Sequence, residues 1–276
     1  MFTMAPPKPR RNEVSASGDF FLGQGKVTLP FGFSLHLVPG LAQNVTPKAA
    51  SATRSSDYFG GTISYSFLHE WFVDFAYANG TSSGNPTFSP LISSIPAHFT
   101  INDQWYQAYI RYTFPALRGK PFSAYLRAGG TYITANLNMS HVTAAPFYQQ
   151  TDHTTDYRGN LGFGLTYRIP LRRRMFLGFQ FEGEGFYGRR SQDSTESLPP
   201  ALPYVFPTAH INNTLYGGIV RATIHYEYNL SASGFFKLFA DGGFQGEYTD
   251  VQYPGTSAPN ELLYGPYAKL GLSYQF

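Results

Sequence analysis

Apolar and polar residues alternate in twos along much of this chain, and the C-terminal segment shows the pattern most plainly. Ala268, Leu270, Leu272, Tyr274 and Phe276 fall on one parity, while Lys269, Gly271, Ser273 and Gln275 fall on the other. Successive side chains of a strand point to opposite faces. One face of this segment is therefore apolar and the other wet, up to the terminal residue. Comparable segments lie at 26–37, 55–67, 71–80, 98–114, 122–137, 155–168, 175–189, 214–228, 235–248 and 262–276. Each is near or above the roughly 9–11 residues that a tilted transmembrane strand needs. The first contains Pro30, which cannot donate to a ladder, and it can extend back through Asp19, Phe20, Phe21 and Leu22.

The intervals between segments take turns in length. Leu68-His69-Glu70 and the stretches 115–121, 169–174 and 229–234 are short. The stretches 38–54, 81–97, 138–154, 190–213 and 249–261 are longer and rich in Ser, Thr, Pro, Asn and Gly. Short turns on one side and long loops on the other are the plan of a transmembrane barrel. The expected fold is therefore all-β: an antiparallel up-and-down transmembrane β-barrel of about ten strands, with eight and twelve as alternatives. Residues 1–17 are expected to form a flexible periplasmic tail and residues 18–276 a single barrel domain. An even strand count puts both termini in the periplasm, the short turns beside them and the long loops outside.

Parity then assigns faces. Strands running toward the periplasm end alike, in Tyr65-Ser66-Phe67, Tyr112-Thr113-Phe114, Tyr226-Glu227-Tyr228 and Tyr274-Gln275-Phe276, with Tyr167 in the corresponding place on the sixth segment. These aromatics point outward at one height, as an interfacial girdle does. Strand propensity alone would explain their presence, but not their recurrence at the same end of alternate strands. The inward parity holds seven basic residues, Arg111, Arg127, Arg158, Arg168, Arg221, Lys237 and Lys269, and six acidic ones, Asp74, Glu182, Glu184, Glu227, Asp241 and Glu247. About eight strands leave an interior just filled by side chains, whereas sixteen or more leave a channel. In a narrow lumen opposite charges pair, because a buried unpaired charge is costly. The expectation is a polar core that holds the barrel shut. The alternative is a narrow, weakly selective pore, for which a ring of one sign would be the usual sign.

Composition agrees. Aromatics make up 17% and charged residues only 13% of the 276 residues, yet the mean hydropathy is −0.24. Ordinary soluble domains carry roughly 25% charged residues. The apolar runs are too short for a bilayer-spanning helix of about 20 residues; a barrel resolves the conflict, since lipid meets only every second residue. There is no cysteine, which suits assembly in an oxidising periplasm. The net charge of +3 comes with no basic stripe, so no nucleic-acid partner is expected. The opening MFTMAPPKPRRNEVSASG lacks the apolar core of a signal peptide, so the export signal is expected to have been removed or to lie upstream.

With these features together, residues from about 19 to 276 resemble the small outer-membrane β-barrel proteins of Gram-negative bacteria, similar in plan to the OmpA transmembrane domain, OmpX and OmpW. The resemblance rests on the Tyr-Gln-Phe ending, on the girdle repeats, and on Asp57-Tyr58-Phe59-Gly60-Gly61-Thr62 leading into Ile63-Ser64-Tyr65-Ser66-Phe67. The chain departs from the eight-strand members by a length that allows about two more strands. The resemblance implies a bacterial outer-membrane location, contact with outer-membrane lipids and lipopolysaccharide, and recognition by the barrel-assembly machinery. Leu270, Leu272, Tyr274 and Phe276 would form the assembly signal.

Catalytic candidates are few. The omptin proteases are ten-stranded barrels, and an omptin-like site needs acidic residues and a His–Asp pair facing each other at the outer rim. Asp152, His153 and Asp156 are the nearest candidates, and all are expected on one extracellular loop. Ser140 and His141 are adjacent, which suits no triad. His225 is read as a core residue, His69 as part of a periplasmic turn and His210 as part of the longest loop. The seven histidines show no metal-ligand spacing, and no Gly-rich run precedes a helix as a nucleotide site would require. The expectation is a non-enzyme without metal or cofactor, acting structurally or through its surface. The apolar-rich stretch 190–213 is the leading contact candidate, its ligand unspecified. The alternatives are a narrow porin-like channel for small solutes and an outer-membrane hydrolase.

Overall fold

A computed structural model describes residues 12–39, 47–68, 70–88, 95–114, 121–141, 148–172, 174–198, 202–231, 235–253 and 260–276. In chain order its elements are β1 (Glu13–Phe31), α1 (Phe33–His36), β2 (Lys48–Leu68), β3 (Trp71–Gly84), β4 (Thr87–Phe88), β5 (Ile95–Thr113), β6 (Phe122–His141), β7 (Gln149–Arg172), β8 (Met175–Leu198), β9 (Leu202–Val205), β10 (Ala209–Asn229), β11 (Phe236–Gln252) and β12 (Glu261–Gln275). Ten long strands form one antiparallel ring, each beside its neighbour in sequence. The ring closes where β12 pairs with β1, with Glu13 opposite Gln275; the short β4 and β9 attach to β5 and β8. The ten-stranded antiparallel barrel expected from the alternation is the observed fold.

Several boundaries differ from expectation. The first segment, read as strand over 26–37, ends at Phe31 and gives way to α1, and β2 starts at Lys48 within the expected loop 38–54. β1 begins at Glu13, so residues 13–17 belong to the wall and not to a tail; residues 1–11 of that expected tail lie outside the described residues. Ser15, Ala16, Ser17 and Gly18 are too small to create apolar contrast, which is why the alternation is invisible there. The stretch 190–213 is mostly strand and not loop, being divided among the end of β8, β9 and the start of β10. Likewise β6 runs on to His141 and β7 starts at Gln149, so most of the expected loop 138–154 is wall.

The outward face explains why the strands are so long. At the end of the barrel that carries both strand termini Glu13 and Gln275, Tyr65, Phe67, Phe114, Tyr167 and Tyr274 are exposed on the outside, with Tyr112, Tyr226 and Tyr228 partly so. Higher up stands a second belt on eight successive strands: Tyr77, Tyr106, Tyr132, Tyr157, Tyr187, Tyr216, Tyr248 and Tyr264, all exposed. Neighbouring rings touch along it, Tyr77 to Tyr106 at 5.1 Å and Tyr132 to Tyr157 at 5.0 Å between centroids. Between the belts the outward residues are apolar, for example Leu161, Phe163 and Leu165 on β7. From Tyr157 to Tyr167 a tilted strand climbs about 25 Å, the height of a barrel's lipid-facing band. β7 continues from Tyr157 up to Gln149, which carries the wall about 20 Å beyond the upper belt.

At the top of β1 the wall opens. Pairing between β1 and β12 ends at Lys26 opposite Leu262, whereas pairing between β1 and β2 continues to Phe31 opposite Lys48. From there the β1–β2 hairpin leaves the ring, and Val27 to Phe31 are buried without alternation. Pro30 lies beyond the last β1–β12 pair, where one edge of the strand has no ladder to supply, so its missing N–H costs little. A side chain at Gly25 would meet the Leu262 carbonyl oxygen and one at Gly265 that of Leu22, so β1 and β12 approach too closely there for any Cβ. Gly32 takes φ 78° to turn the hairpin into α1.

Candidate functional site

The lumen is the candidate site, and its side chains fall into three tiers. Nearest the Glu13–Gln275 end of the barrel, Arg168 meets Glu227 at 2.6 Å, and Lys237 lies 3.7 Å from Glu227 and 3.9 Å from Glu13. His225 faces Asp241 at 2.5 Å, Lys269 lies 3.7 Å from Asp19, and Arg111 clasps Asp74 through two nitrogens at 3.0 and 3.2 Å. In the middle tier, Arg127 meets Glu184 at 2.8 Å and Glu182 at 3.8 Å, and Arg221 lies 3.5 Å from Glu182. Tyr109 and Asn160 donate to Glu184 at 3.1 and 2.7 Å, and Tyr125 donates to Glu182. A cavity of about 370 Å³ borders these two tiers.

The third tier stands level with the upper tyrosine belt and crosses the lumen. Arg158 and Glu247 are next to Tyr157 and Tyr248, and Arg190 and Glu261 stand three residues above Tyr187 and Tyr264. Arg158 on β7 reaches Glu247 on β11 at 2.7 Å, and Arg190 on β8 reaches Glu261 on β12 at 2.8 Å. Both arginines also hold Asp156, at 3.0 and 2.8 Å. β7 and β11 are not neighbours in the ring, nor are β8 and β12, so these pairs bridge the interior. Burial pushes the Asp156 carboxyl up, but Arg190 and Arg158 outweigh it and hold the group below the usual carboxylate range.

All thirteen charged residues that parity assigned to the lumen are on the inner face, in contacts with opposite charges. Their partners Glu13, Asp19, Asp156, Arg190 and Glu261 were absent from that set. Glu13, Asp19, Arg190 and Glu261 lie beyond the segments read as strands. Asp156 is read from the sequence as a loop residue although it stands on the inward parity of β7, two residues from Arg158; continuing the parity of β8 from Glu184 would likewise have reached Arg190. The catalytic candidates do not converge. Asp152 and Asp156 stand buried on β7 and not on a loop, while His153 between them points outward and contacts Asn136 at 2.8 Å. His210 sits outside against Asp193 at 2.5 Å. Ser140 and His141 end β6, and His69 lies outside the described residues. Among the described residues no group of three or more His, Asp or Glu could hold a metal ion.

The β1–β2 hairpin covers the mouth above these tiers. In the ring of ten, β7 stands opposite β1, and the hairpin reaches it. The Pro30 carbonyl accepts from Gln150 Nε2 on β7 at 2.6 Å, and Gly32 N–H donates to Glu196 Oε1 on β8 at 2.5 Å. Val27, Leu29 and Phe31 pack with Phe99, Leu137 and Met139 from β5 and β6, and the Phe33 ring lies 6.3 Å from that of Tyr253, the residue after β11. Composition gave no hint of this apolar cap inside a polar barrel.

No protein-family model matches this chain, and no curated protein matches it by sequence. Solved structures do match. The outer-membrane protease OmpT of Escherichia coli superposes with a TM-score of 0.53 at 11% identity, over 99% of each chain. The fold is that of an outer-membrane β-barrel. The translocator domain of the autotransporter NalP from Neisseria meningitidis matches with a TM-score of 0.44 at 14% identity, over 98% of this chain and 90% of that one. The toluene transporter TodX of Pseudomonas putida matches at 0.32 and 10%, over 97% and 90%.

Proposed function

We propose that this chain is an integral protein of the bacterial outer membrane with a barrel closed to ions, serving a structural or surface-contact role and not an enzymatic one. The observation that carries the reading is the third tier, in which Arg158–Glu247 and Arg190–Glu261 cross the lumen beneath an apolar hairpin cap. Ions would have to break two cross-lumen pairs to pass, and a buried pair broken from one side costs about 3–5 kcal/mol. The acidic candidates for catalysis are buried and held by neighbours, so none is presented to a substrate at the rim. Lipids and lipopolysaccharide would cover the wall between the two belts. The roughly 20 Å of wall above the upper belt would be the surface offered to the exterior. Leu270, Leu272 and Tyr274 lie on the outward face of β12 and Phe276 follows it, where the barrel-assembly machinery would read them.

Conductance in planar bilayers tests this. The expected result is silence from the intact chain and stable conductance steps once Arg158 and Glu247 are both replaced by alanine. Stable steps from the unaltered chain would overturn the closed barrel in favour of a narrow porin.

A further inference from the structure

Under the hairpin lies a carboxylate with no cation partner among the described residues. Asp152 is fully buried, and its described partners are neutral: Gln150 Nε2 at 2.9 and 3.0 Å, Gln192 Nε2 at 3.0 Å and the Ser194 hydroxyl. Four residues along the same face, Asp156 has two arginines. The pocket beside Asp152 does hold charges, namely Arg54 from β2, Asp103 from β5, Arg158 from β7, Arg190 from β8, Glu247 from β11 and Glu261 from β12. Arg158 and Arg190 spend their ion pairs on Asp156, Glu247 and Glu261. Arg54 acts on Tyr58 and Asp103. Glu196, Tyr148 and Tyr253 face Asp152 from the other sides; two of these are neutral hydroxyls and the third is another acid.

The hairpin hangs on this same group. The Gln150 amide that donates to Asp152 also donates to the Pro30 carbonyl, and Glu196 accepts from Gly32 two residues further on. An ionised carboxylate without a counter-charge is poorly tolerated out of water, whereas a lifted hairpin would let water reach it. We propose that the β1–β2 hairpin is a pH-sensitive lid, held down while Asp152 carries a proton and released as Asp152 ionises.

The sign follows from linkage. Burial pushes the Asp152 carboxyl up to about 7 with the lid down, and hydration with the lid raised returns it toward the ordinary value near 4. The lowered state therefore binds the proton more tightly. Between those two values opening becomes up to about tenfold more favourable per pH unit, and above about pH 7 it levels off. The lid is down in acid and loosened at neutral pH. This rests on the closed-mouth reading, but the two fail separately: conductance reports whether ions pass the third tier, and accessibility of the hairpin reports whether the lid moves.

The chain has no cysteine, so single thiols report cleanly. Ser34, buried in α1, is replaced in S34C, and the exposed Thr151 on the outer wall in T151C serves as reference. Each refolded barrel is labelled with N-ethylmaleimide from pH 5 to 8.5, and each rate is divided by that of the same chain unfolded in urea at the same pH. The normalised S34C rate is expected to rise at least tenfold between pH 5 and 7.5 and then to flatten, while T151C stays level. In S34C/D152N the rate is expected to stay at its acid value throughout. A flat S34C profile, or a rise that persists in D152N, overturns the lid. If the D152N chain does not fold, the S34C profile decides alone, and a rise that does not flatten between pH 7 and 8 counts against the proposal.

Discussion

The same strands live two lives, one below the upper tyrosine belt and one above it. On β6, Leu126 points outward into the membrane band, yet Ile133, Leu137 and Met139, higher on the same strand, point inward and are buried. β10 repeats the change, with Val220 and Ile224 outward below and Ile211 and Leu215 inward above. Neither strand slips register at the crossing. What changes is the solvent outside. Where lipid surrounds the wall, apolar side chains are stable outside and charges are confined to the lumen as pairs. Where water surrounds it, the ordinary rule returns and the upper barrel builds a conventional apolar core, capped by its own hairpin. A barrel of this length is a membrane protein and a water-soluble one, joined strand by strand.

The largest effect that should separate the halves is at their junction. Replacing Arg158 with alanine strands Glu247, buried and with no other cation among its described ion pairs. A loss of about 3–5 kcal/mol is expected, read as a fall in the urea midpoint of the refolded barrel in vesicles. Thr155→Ala on the outer wall nearby should move it by less than about 0.5 kcal/mol. Next in size is a direct test of where lipid stops. Leu161 is the most exposed of the large apolar residues of β7 and lies near the middle of the band. Leu161→Arg should cost about 2–4 kcal/mol, while Thr151→Arg, ten residues higher on the same face, should cost less than about 0.5 kcal/mol. Equal costs at the two positions would mean that the upper wall is also in lipid and that the division is wrong.

This division also decides what could be read in the sequence. Between the belts, apolar residues on one parity face charged residues on the other, so strand, face and register were all legible, and Arg111, Glu182, Arg221 and Lys269 could be placed inside the lumen. Above the upper belt the outward residues are Thr151, His153, Ser191, Asp193 and Asn212, a composition that ordinary loops share, so the strands seemed to stop early. The hairpin was less legible still. Val27 to Phe31 are buried on both parities because they are surrounded, and their contacts, such as Thr28 N–H with Glu261 across 233 positions, leave no local trace. The terminal pattern at Phe276 marked the strand that closes the ring, but nothing in it foretold that a hairpin would cover the far mouth of the barrel.

The smallest expected effect concerns the border itself. If the tyrosines of the upper belt act as interfacial anchors, ring contact should matter more than the hydroxyl on the apolar side of each residue. Tyr132 is the informative member, since its ring touches Tyr106 at 6.0 Å and Tyr157 at 5.0 Å, with the three strands in direct register. Tyr132→Ala removes both contacts, each worth about 0.5–1.5 kcal/mol, so a loss of about 1–3 kcal/mol is expected in vesicles. Tyr132→Phe keeps both rings and loses only the polar tip, so it should stay within about 0.5 kcal/mol of the parent. The same pair of variants measured in detergent, where no sharp headgroup layer exists, should keep the alanine loss that comes from ring packing and shed whatever part comes from anchoring. An alanine loss that is identical in both media would reduce the belt to cross-strand packing; a smaller loss in detergent would assign the remainder to the interface.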